Sequence, residues 1–172
     1  GRFGALSRTA AAPWAPQARR YYYNIVGKYG AQVQALLKKA SALEIETICP
    51  LHGPVLTGGA LAEALRLYDL WSRWQSEAPD DILLAHASIH GNTARAAELL
   101  KQKLEAKGAR VTLCDLTTTE VSYAVANAFY CGKLVLACST YDGGLFPPME
   151  EFLSHLQAKG FRDRSVGLME NG

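Results

Sequence analysis

Small polar residues and a glycine join an apolar segment to a helical one in the middle of the chain. Residues 82–85 are apolar, Ser88-Ile89-His90-Gly91-Asn92-Thr93 follow, and the next residues are rich in Ala, Leu and Glu. This order predicts a strand, a polar loop and a helix. Hydroxyls, an amide and a glycine at a helix start can cradle a phosphate, because free backbone N–H groups and the positive end of the helix dipole attract an anion. The alternative is that Asn92 or Thr93 only caps the helix.

A second loop of unusual composition follows a later apolar segment. It reads Ser139-Thr140-Tyr141-Asp142-Gly143-Gly144 and continues into a helix through two prolines. Tyr141 could lay its ring against a flat aromatic ligand, and the glycines would let the backbone approach the edge of that ligand. An ordinary Gly/Pro loop with a surface tyrosine is the alternative. A third loop, Glu170-Asn171-Gly172, again follows an apolar segment.

Strand and helix patterns alternate through the C-terminal half and would position these loops. We predict strands at 82–87, 110–114, 133–139 and 165–169, with helices at 92–107, 119–130 and 147–159. This alternation is typical of βαβ units with a parallel sheet, in which the loops after the strands lie at one edge. One phosphate-like and one aromatic loop at that edge suit flavin mononucleotide (FMN). A dinucleotide fits less well, because the chain contains no G-x-G-x-x-G motif.

The N-terminal half has a different pattern. Apolar residues recur every three or four positions over residues 17–42, which predicts one helix, and a second helix is expected at 60–75. A short strand at 46–49 leads into "CPLHGPV", which contains His52. The polar stretch "SEAPDD" reads as a linker near residue 78. The apolar and aromatic residues of the second helix could fill an internal core or a subunit contact.

Composition limits the classes of function. The chain has 172 residues and a net charge of +2, yet residues 1–43 hold seven Lys or Arg and no acid. This basic segment is either a solvated face or a docking face for an acidic protein, and its scattered charges argue against nucleic acid. No apolar run is long enough for a membrane span. Four cysteines without a C-x-x-C pair predict reduced thiols and a cytoplasmic protein.

Several motifs in one order resemble the flavodiiron proteins, also called A-type flavoproteins. The motifs "SIHGNT", "STYDGGLFPPME" and "VGLMENG" are similar to their flavodoxin-like domain, and "RRYYYNIVGKYGAQVQALLKK" with "ICPLHGPV" to the end of their metallo-β-lactamase-like domain. The resemblance implies an α/β chain of two parts. Residues 1–78 would be the C-terminal part of a metallo-β-lactamase-like αββα domain. Residues 79–172 would be a flavodoxin-like, doubly wound parallel sheet that ends after its fourth strand.

The resemblance also implies a chemistry. The family passes electrons from a rubredoxin or a flavoprotein reductase to FMN and then to a non-haem diiron centre, where oxygen becomes water or nitric oxide becomes nitrous oxide. By similarity, residues 88–93 would hold the FMN phosphate, and residues 139–144 and 170–172 would border its ring. His52 matches the last iron-ligand histidine, and neutral imidazole is a fitting iron ligand. A head-to-tail homodimer or tetramer is expected, without nucleic acid or membrane partners.

The chain departs from the family in its metal ligands. No H-x-E-x-D-H motif occurs, and residues 1–43 contain no carboxylate that could bridge two irons. The sequence is therefore expected to be a piece of a longer oxidoreductase and not to reduce oxygen or nitric oxide by itself. The other possibility is a flavodoxin-like electron carrier or binding module without metal chemistry. The choice between oxygen and nitric oxide, and the identity of the electron donor, stay open.

Overall fold

The computed structural model describes residues 13–169, and these fall into two compact units that divide between Arg73 and Trp74. The N-terminal unit is mostly helical. The C-terminal unit is a parallel sheet with helices between its strands. Each unit contains its own buried side chains, and each is described separately below.

The N-terminal unit consists of helices and one short hairpin. Its elements are α1 (Ala15–Tyr21), a π-helical turn (Tyr22–Val26), a 3-10 turn (Gly27–Tyr29), α2 (Gly30–Ala40), β1 (Thr47–Ile48), β2 (Leu56–Thr57) and α3 (Gly58–Ser72). Strands β1 and β2 pair antiparallel. The loop between them carries His52.

The single helix expected over residues 17–42 is interrupted, so this prediction is wrong in its middle. Tyr22 and Tyr23 are neighbours in the chain, and both are fully buried. In a regular α-helix, neighbouring side chains point about 100° apart, so one of them would leave the core. The wider π turn and the 3-10 turn after it allow both rings to face inward.

Aromatic side chains form the centre of the N-terminal unit. Trp71 of α3 is 1 % exposed and contacts the rings of Tyr22 and Tyr23. Beside this cluster the Gln34 side chain donates hydrogen bonds to Asp69 Oδ1 at 2.9 Å and to Ser72 Oγ at 2.7 Å, which joins α2 to α3. Trp71 therefore fills the core of its own unit and is not a subunit contact.

The C-terminal unit is a four-stranded parallel sheet in the order β4-β3-β5-β8. Its elements are β3 (Ala78–Ala87), α4 (Asn92–Glu105), β4 (Val111–Asp115), α5 (Val121–Tyr130), β5 (Cys131–Cys138), β6 (Thr140–Tyr141), β7 (Gly144–Leu145), α6 (Pro147–Ala158) and β8 (Ser165–Met169). The alternating pattern predicts this parallel sheet with its flanking helices, and the α/β fold is flavodoxin-like, as the resemblance implies.

The stretch 76–81, expected to be a linker, belongs in part to the sheet. Strand β3 begins at Ala78, which pairs with Cys131, and an irregularity separates that pair from Ile82–Lys133. The polar composition has a local cause, because Asp80 forms an ion pair with Lys133 and Asp81 forms one with Arg110. The linker prediction was wrong for residues 78–81 because charged residues at the start of a strand have the same composition as a linker.

A glycine permits the close approach of two backbones at the start of β3. A Cβ on Gly132 would lie 2.1 Å from the Pro79 carbonyl oxygen and 2.5 Å from the Pro79 Cα. No side chain fits at that distance. The pairing at the N-terminal end of β3 and β5 therefore depends on Gly132.

One arginine joins three segments of the C-terminal unit. Helix α5 ends at Tyr130 and β5 begins at the next residue, so no loop satisfies the last helical carbonyls. Arg164 donates from Nη2 to the Phe129 carbonyl at 3.1 Å and from Nε to the Cys131 carbonyl at 2.9 Å. Its Nη1 donates to the Trp74 carbonyl at 2.6 Å. The planar guanidinium is suited to this task because its donors are fixed in a fork.

Trp74 is held in a backbone conformation that bulky residues rarely adopt. Its φ is 54°, and it follows directly after the C-cap residue of α3. The indole Nε1 donates to the Lys159 carbonyl at 3.1 Å, and the Arg162 guanidinium carbon lies 4.1 Å from the ring centroid. Together with the bond from Arg164, these contacts offset the backbone strain.

Two further expectations concern the chain as a whole. Cys49, Cys114, Cys131 and Cys138 are free thiols, as the absence of paired spacing predicts. Within residues 13–169, no helix combines the length and the apolar character that crossing a membrane requires.

We predict that Gly132→Ala destabilises the C-terminal unit, because the added methyl group meets the Pro79 backbone. The free energy of unfolding should fall by about 1–3 kcal/mol, the usual result of overpacking, measured by urea denaturation. Gly167→Ala is the control, since a Cβ there meets only Val135 Cγ2 at 3.6 Å. Equal stability of the two variants would contradict the close approach.

We also predict that Arg164→Lys lowers the free energy of unfolding by about 2–4 kcal/mol, because an ammonium group cannot serve all the carbonyls that the fork serves. Chemical denaturation of the same unit measures the loss. Arg162→Lys is the matched control, because a lysine can keep its cation over the Trp74 ring. A smaller loss for Arg164→Lys than for Arg162→Lys would refute the argument.

Candidate functional site

The loop after β3 forms a turn directly before helix α4. The Gly91 backbone N–H donates to Ser88 Oγ at 3.0 Å, which closes the turn. Gly91 has a φ of 84°, in the left-handed region that glycine adopts without strain. A Cβ at Gly91 would meet no atom within 4 Å, so the space beside the loop is open.

The structure contradicts the alternative in which Asn92 or Thr93 caps helix α4. The N-cap position is occupied by Gly91, and no side chain makes a capping hydrogen bond there. Asn92 and Thr93 are the first two residues inside the helix, so neither can act as its N-cap. The first backbone N–H groups of α4 are thus left without a side-chain acceptor at the positive end of the helix dipole, which is the arrangement that binds phosphates.

Ser139 links the loop after β5 to the loop after β3. Its Oγ lies 3.0 Å from Thr93 Oγ1 and accepts a long bond of 3.4 Å from the Ile89 N–H. The Ser139 N–H donates to the Ala87 carbonyl at 3.0 Å, so the pairing of β3 with β5 extends one residue past β5. The hydroxyls of Ser139 and Thr93 therefore belong to one cluster. The Ser88 hydroxyl lies in the loop after β3, directly before the helix that carries Thr93.

Residues 140–145 form a β-hairpin, although the sequence predicts only a loop here. Thr140 pairs with Leu145 and Tyr141 with Gly144. The two central residues, Asp142 and Gly143, have φ values of 49° and 74°, as a type I′ turn requires. The Asp-Gly dipeptide is the signal that was available in the sequence. Tyr141 is 53 % exposed, and its ring centroid lies 5.9 Å from that of Phe146.

The thiol next to this cluster is held in its neutral form. Burial raises the pKa of Cys138, and a hydrogen bond from the Phe146 backbone opposes the shift. The neutral Cys138 Sγ donates to the Ser139 carbonyl at 3.1 Å, and the same carbonyl accepts from the Phe146 N–H at 3.2 Å. Both contacts fix the backbone from which the Ser139 hydroxyl projects.

Some of the other predicted site residues are exposed near the same loop, and others lie outside the described residues. Ile89 and His90 lie exposed in the loop after β3, and Asn92 is exposed at the start of α4. Glu170, Asn171 and Gly172 lie outside the described residues. The sequence assigned Ser139 to the border of a ring, whereas the structure brings its hydroxyl to Thr93. That pairing has no signal in the sequence, because the two residues are 46 positions apart.

His52 is exposed in the β1–β2 loop, with its ring centroid 5.7 Å from that of Tyr21. Among residues 13–169, no three or more His, Cys, Asp or Glu side chains converge in a way that could hold a metal ion. A diiron centre needs several carboxylates and imidazoles around two metals. The described residues therefore do not fit a diiron centre by themselves.

Comparison with known sequences finds relatives but no matching family model. The chain is 33 % identical over 154 residues to the putative diflavin flavoprotein A 3 of Synechocystis, a match that spans 87 % of this chain and 25 % of the relative. It is 32 % identical over 151 residues to the putative diflavin flavoprotein A 6 of Nostoc, across 87 % of this chain and 26 % of that protein. The chain thus spans about a quarter of the length of these curated relatives.

Solved structures share the fold. The flavodiiron protein of Giardia intestinalis superposes on this chain with a TM-score of 0.82 at 22 % identity. The match covers 93 % of this chain and 41 % of the Giardia protein. Rubredoxin oxygen:oxidoreductase of Desulfovibrio gigas gives a TM-score of 0.83 at 20 % identity, across 95 % of this chain and 42 % of that structure. The sequence relatives and these structures together confirm the resemblance that the motifs indicate, in that the chain is similar to a segment of the diflavin and flavodiiron flavoproteins.

Proposed function

We propose that the chain is the FMN-binding, electron-transferring segment of a flavodiiron oxidoreductase. One observation carries the proposal. The hydroxyls of Ser88, Thr93 and Ser139 gather where α4 begins without a side-chain cap, at the sheet edge where the strands end. In open parallel sheets this edge is where ligands bind. The names of the diflavin and flavodiiron relatives support a flavin as the ligand.

We call the hydroxyls of Ser88, Thr93 and Ser139, with the first backbone N–H groups of α4, the cradle. Its donors are suited to a phosphate monoester. Ser88 Oγ already accepts from Gly91 N–H, so its own proton is free to point toward a ligand oxygen. Thr93 and Ser139 share one hydrogen bond between their hydroxyls, and one of the two protons can turn toward the ligand. With the backbone N–H groups of α4, these donors would hold a dianion without a lysine.

The hairpin at 140–145 would face the ring of the flavin. Tyr141 presents a half-exposed ring, and its cross-strand neighbour Gly144 has no side chain to cover it. The FMN would supply one- and two-electron transfer chemistry. This chain would supply the phosphate donors, an aromatic surface and the backbone that bounds the ring. Residues 170–172 are proposed to complete that border by similarity.

Further proposals concern the complete enzyme. We assign residues 1–78 to the C-terminal part of a metallo-β-lactamase-like domain and residues 79–172 to the flavodoxin-like domain. The Desulfovibrio gigas relative is named a rubredoxin oxygen:oxidoreductase, which supports a rubredoxin-like donor and oxygen as acceptor in the parent protein. Nitric oxide is the other candidate acceptor, and a head-to-tail homodimer is the proposed assembly. His52 would act in iron binding only together with ligands from outside residues 13–169.

We predict that the chain binds FMN more tightly than riboflavin, because riboflavin lacks the phosphate for which the cradle is built. Quenching of flavin fluorescence measures both affinities. Gly91→Val should weaken FMN binding about tenfold, since a β-branched residue at positive φ is strained by roughly 1–2 kcal/mol. Gly108→Val is the matched control, because Gly108 has a φ of 86° at the other end of α4. Equal losses of affinity in both variants would argue against the cradle.

We predict a selective effect for Ser139→Ala. Loss of one hydroxyl donor should weaken FMN binding about five- to tenfold, equivalent to roughly 1 kcal/mol, and leave riboflavin binding unchanged. Ser154→Ala, at an exposed position on α6, should change neither affinity. The same titration tests all three proteins. A Ser139→Ala variant that binds FMN as tightly as the unsubstituted chain would remove Ser139 from the phosphate site.

A further inference from the structure

The sheet edge that carries the candidate site is rich in carboxylates. It is formed by the ends of the strands and the segments that follow them, residues 88–95, 115–124 and 139–151. Arg95 is the one lysine or arginine in these three segments, whereas five residues are acidic: Asp115, Glu120, Asp142, Glu150 and Glu151. The edge is therefore negatively charged at neutral pH, although the whole chain has a net charge of +2.

Three of these carboxylates surround the hairpin of residues 140–145, and we call them the acidic edge. Asp142 lies in the turn of the hairpin, and Glu150 and Glu151 lie at the start of α6. The Glu150 N–H donates to the Phe146 carbonyl at 3.3 Å, and the Phe146 ring packs near Tyr141 of the hairpin. All three carboxylates belong to exposed residues, and none of them forms an ion pair within residues 13–169.

The binding of FMN does not explain this charge. Carboxylates near a phosphate dianion repel it and weaken its binding. Local structure explains the charge only in part, because the helix dipole favours an acid at Glu150, and the turn at Asp142 accepts an asparagine equally well. Glu151 lines a recess of about 230 Å³ together with Glu120, which brings two like charges to one place.

The hairpin next to the acidic edge is uncovered on both of its faces by the described residues. Tyr141 is 53 % exposed and Leu145 is 47 % exposed. Because Tyr141 pairs with Gly144 and Thr140 with Leu145, the side chains of Tyr141 and Leu145 project from opposite faces. Under the proposed function the flavin ring covers the Tyr141 face, so the Leu145 face stays open. An apolar centre with a polar rim is typical of a protein–protein contact.

We propose that the acidic edge is the docking surface for a protein that exchanges electrons with the flavin and has lysine or arginine residues around its own redox centre. This inference rests on the proposed function and adds the chemistry of the partner. Opposite charges steer the two proteins together and raise the rate of association. A partner that reduces the flavin gives up one electron in each of two encounters, so it is oxidised twice, and water supplies the protons that the flavin takes up.

A basic redox protein tests the docking surface without flavin. Ferric cytochrome c, whose haem edge is surrounded by lysines, is titrated into the full flavin-free chain at low ionic strength, and calorimetry measures the affinity. Replacing the acidic edge by Asp142→Asn, Glu150→Gln and Glu151→Gln should weaken the complex about tenfold. Salt at about 0.5 M should weaken the original complex in the same way, because it screens the charges. Succinylated cytochrome c, whose lysine charges are reversed, should not bind.

The matched control removes the same charge from exposed residues elsewhere in the unit. It combines Asp80→Asn, Glu105→Gln and Asp163→Asn, at the start of β3, the end of α4 and the loop before β8. This control variant should bind cytochrome c as tightly as the unsubstituted chain. Asp142 and Asp163 both have a positive φ, which asparagine tolerates well, and circular dichroism verifies that both variants are folded.

Stopped-flow spectroscopy then measures electron transfer from the FMN-loaded, photoreduced chain. Each reduced flavin supplies two electrons, so two ferric cytochromes are reduced, and protons are released to water. The acidic-edge variant should reduce cytochrome c about tenfold more slowly. It should reduce ferricyanide, which is an anion, at least as fast as the unsubstituted chain does. A change in the driving force of the flavin alone would slow both reactions.

Three results would overturn the proposal: an acidic-edge variant that binds cytochrome c as tightly as the unsubstituted chain, an equal loss in the control variant, or a slower reaction with both oxidants. A second copy of this chain is the competing occupant of the acidic edge. Sedimentation at low ionic strength that finds a dimer, which the acidic-edge substitutions dissociate, would also overturn the proposal. A chain that takes up no FMN would contradict the proposed function, whereas calorimetry with the flavin-free chain decides the docking surface separately.

Discussion

The parallel pairing of β3 with β5 is the constraint on which the candidate site depends. It places the ends of both strands at one edge, and the Ser139 N–H bond to the Ala87 carbonyl extends the pairing to the loops themselves. This register brings the hydroxyls of Thr93 and Ser139 together, and the bond from the Ile89 N–H to Ser139 Oγ joins the same two loops. The same pairing starts with the contact of Gly132 against Pro79, at the opposite end of the strands.

The charge of the site comes mainly from backbone. Helix α4 starts at a glycine, so its first N–H groups remain available, and short hydroxyl side chains surround them. A cradle of this type holds an anion by many weak donors in fixed positions. Arg164 of this unit has a structural role instead, since it donates hydrogen bonds to backbone carbonyls.

The two units solve different packing problems. The C-terminal unit buries small apolar side chains such as Ala85 and Ala124 in its sheet and helices, which allows backbones to lie close together. The N-terminal unit fills its centre with large rings, and a π turn brings Tyr22 inward, where its phenol oxygen has no hydrogen-bond partner among residues 13–169. The candidate iron ligand His52 lies outside this centre, beside the exposed Tyr21 ring.

The sequence by itself determined the class of the C-terminal fold, because strands and helices of regular period alternate there and local pattern is enough to predict them. Strand β8 was also predicted, at residues 165–169, since it depends on a few neighbouring residues. Three features were decided only by tertiary structure. The helix at 17–42 is broken because two adjacent tyrosines share one core, and β3 can begin as early as Ala78 because Gly132 lets the Pro79 backbone approach β5. Ser139 reaches Thr93 because strand pairing joins residues far apart in the chain, and no local pattern carries that information.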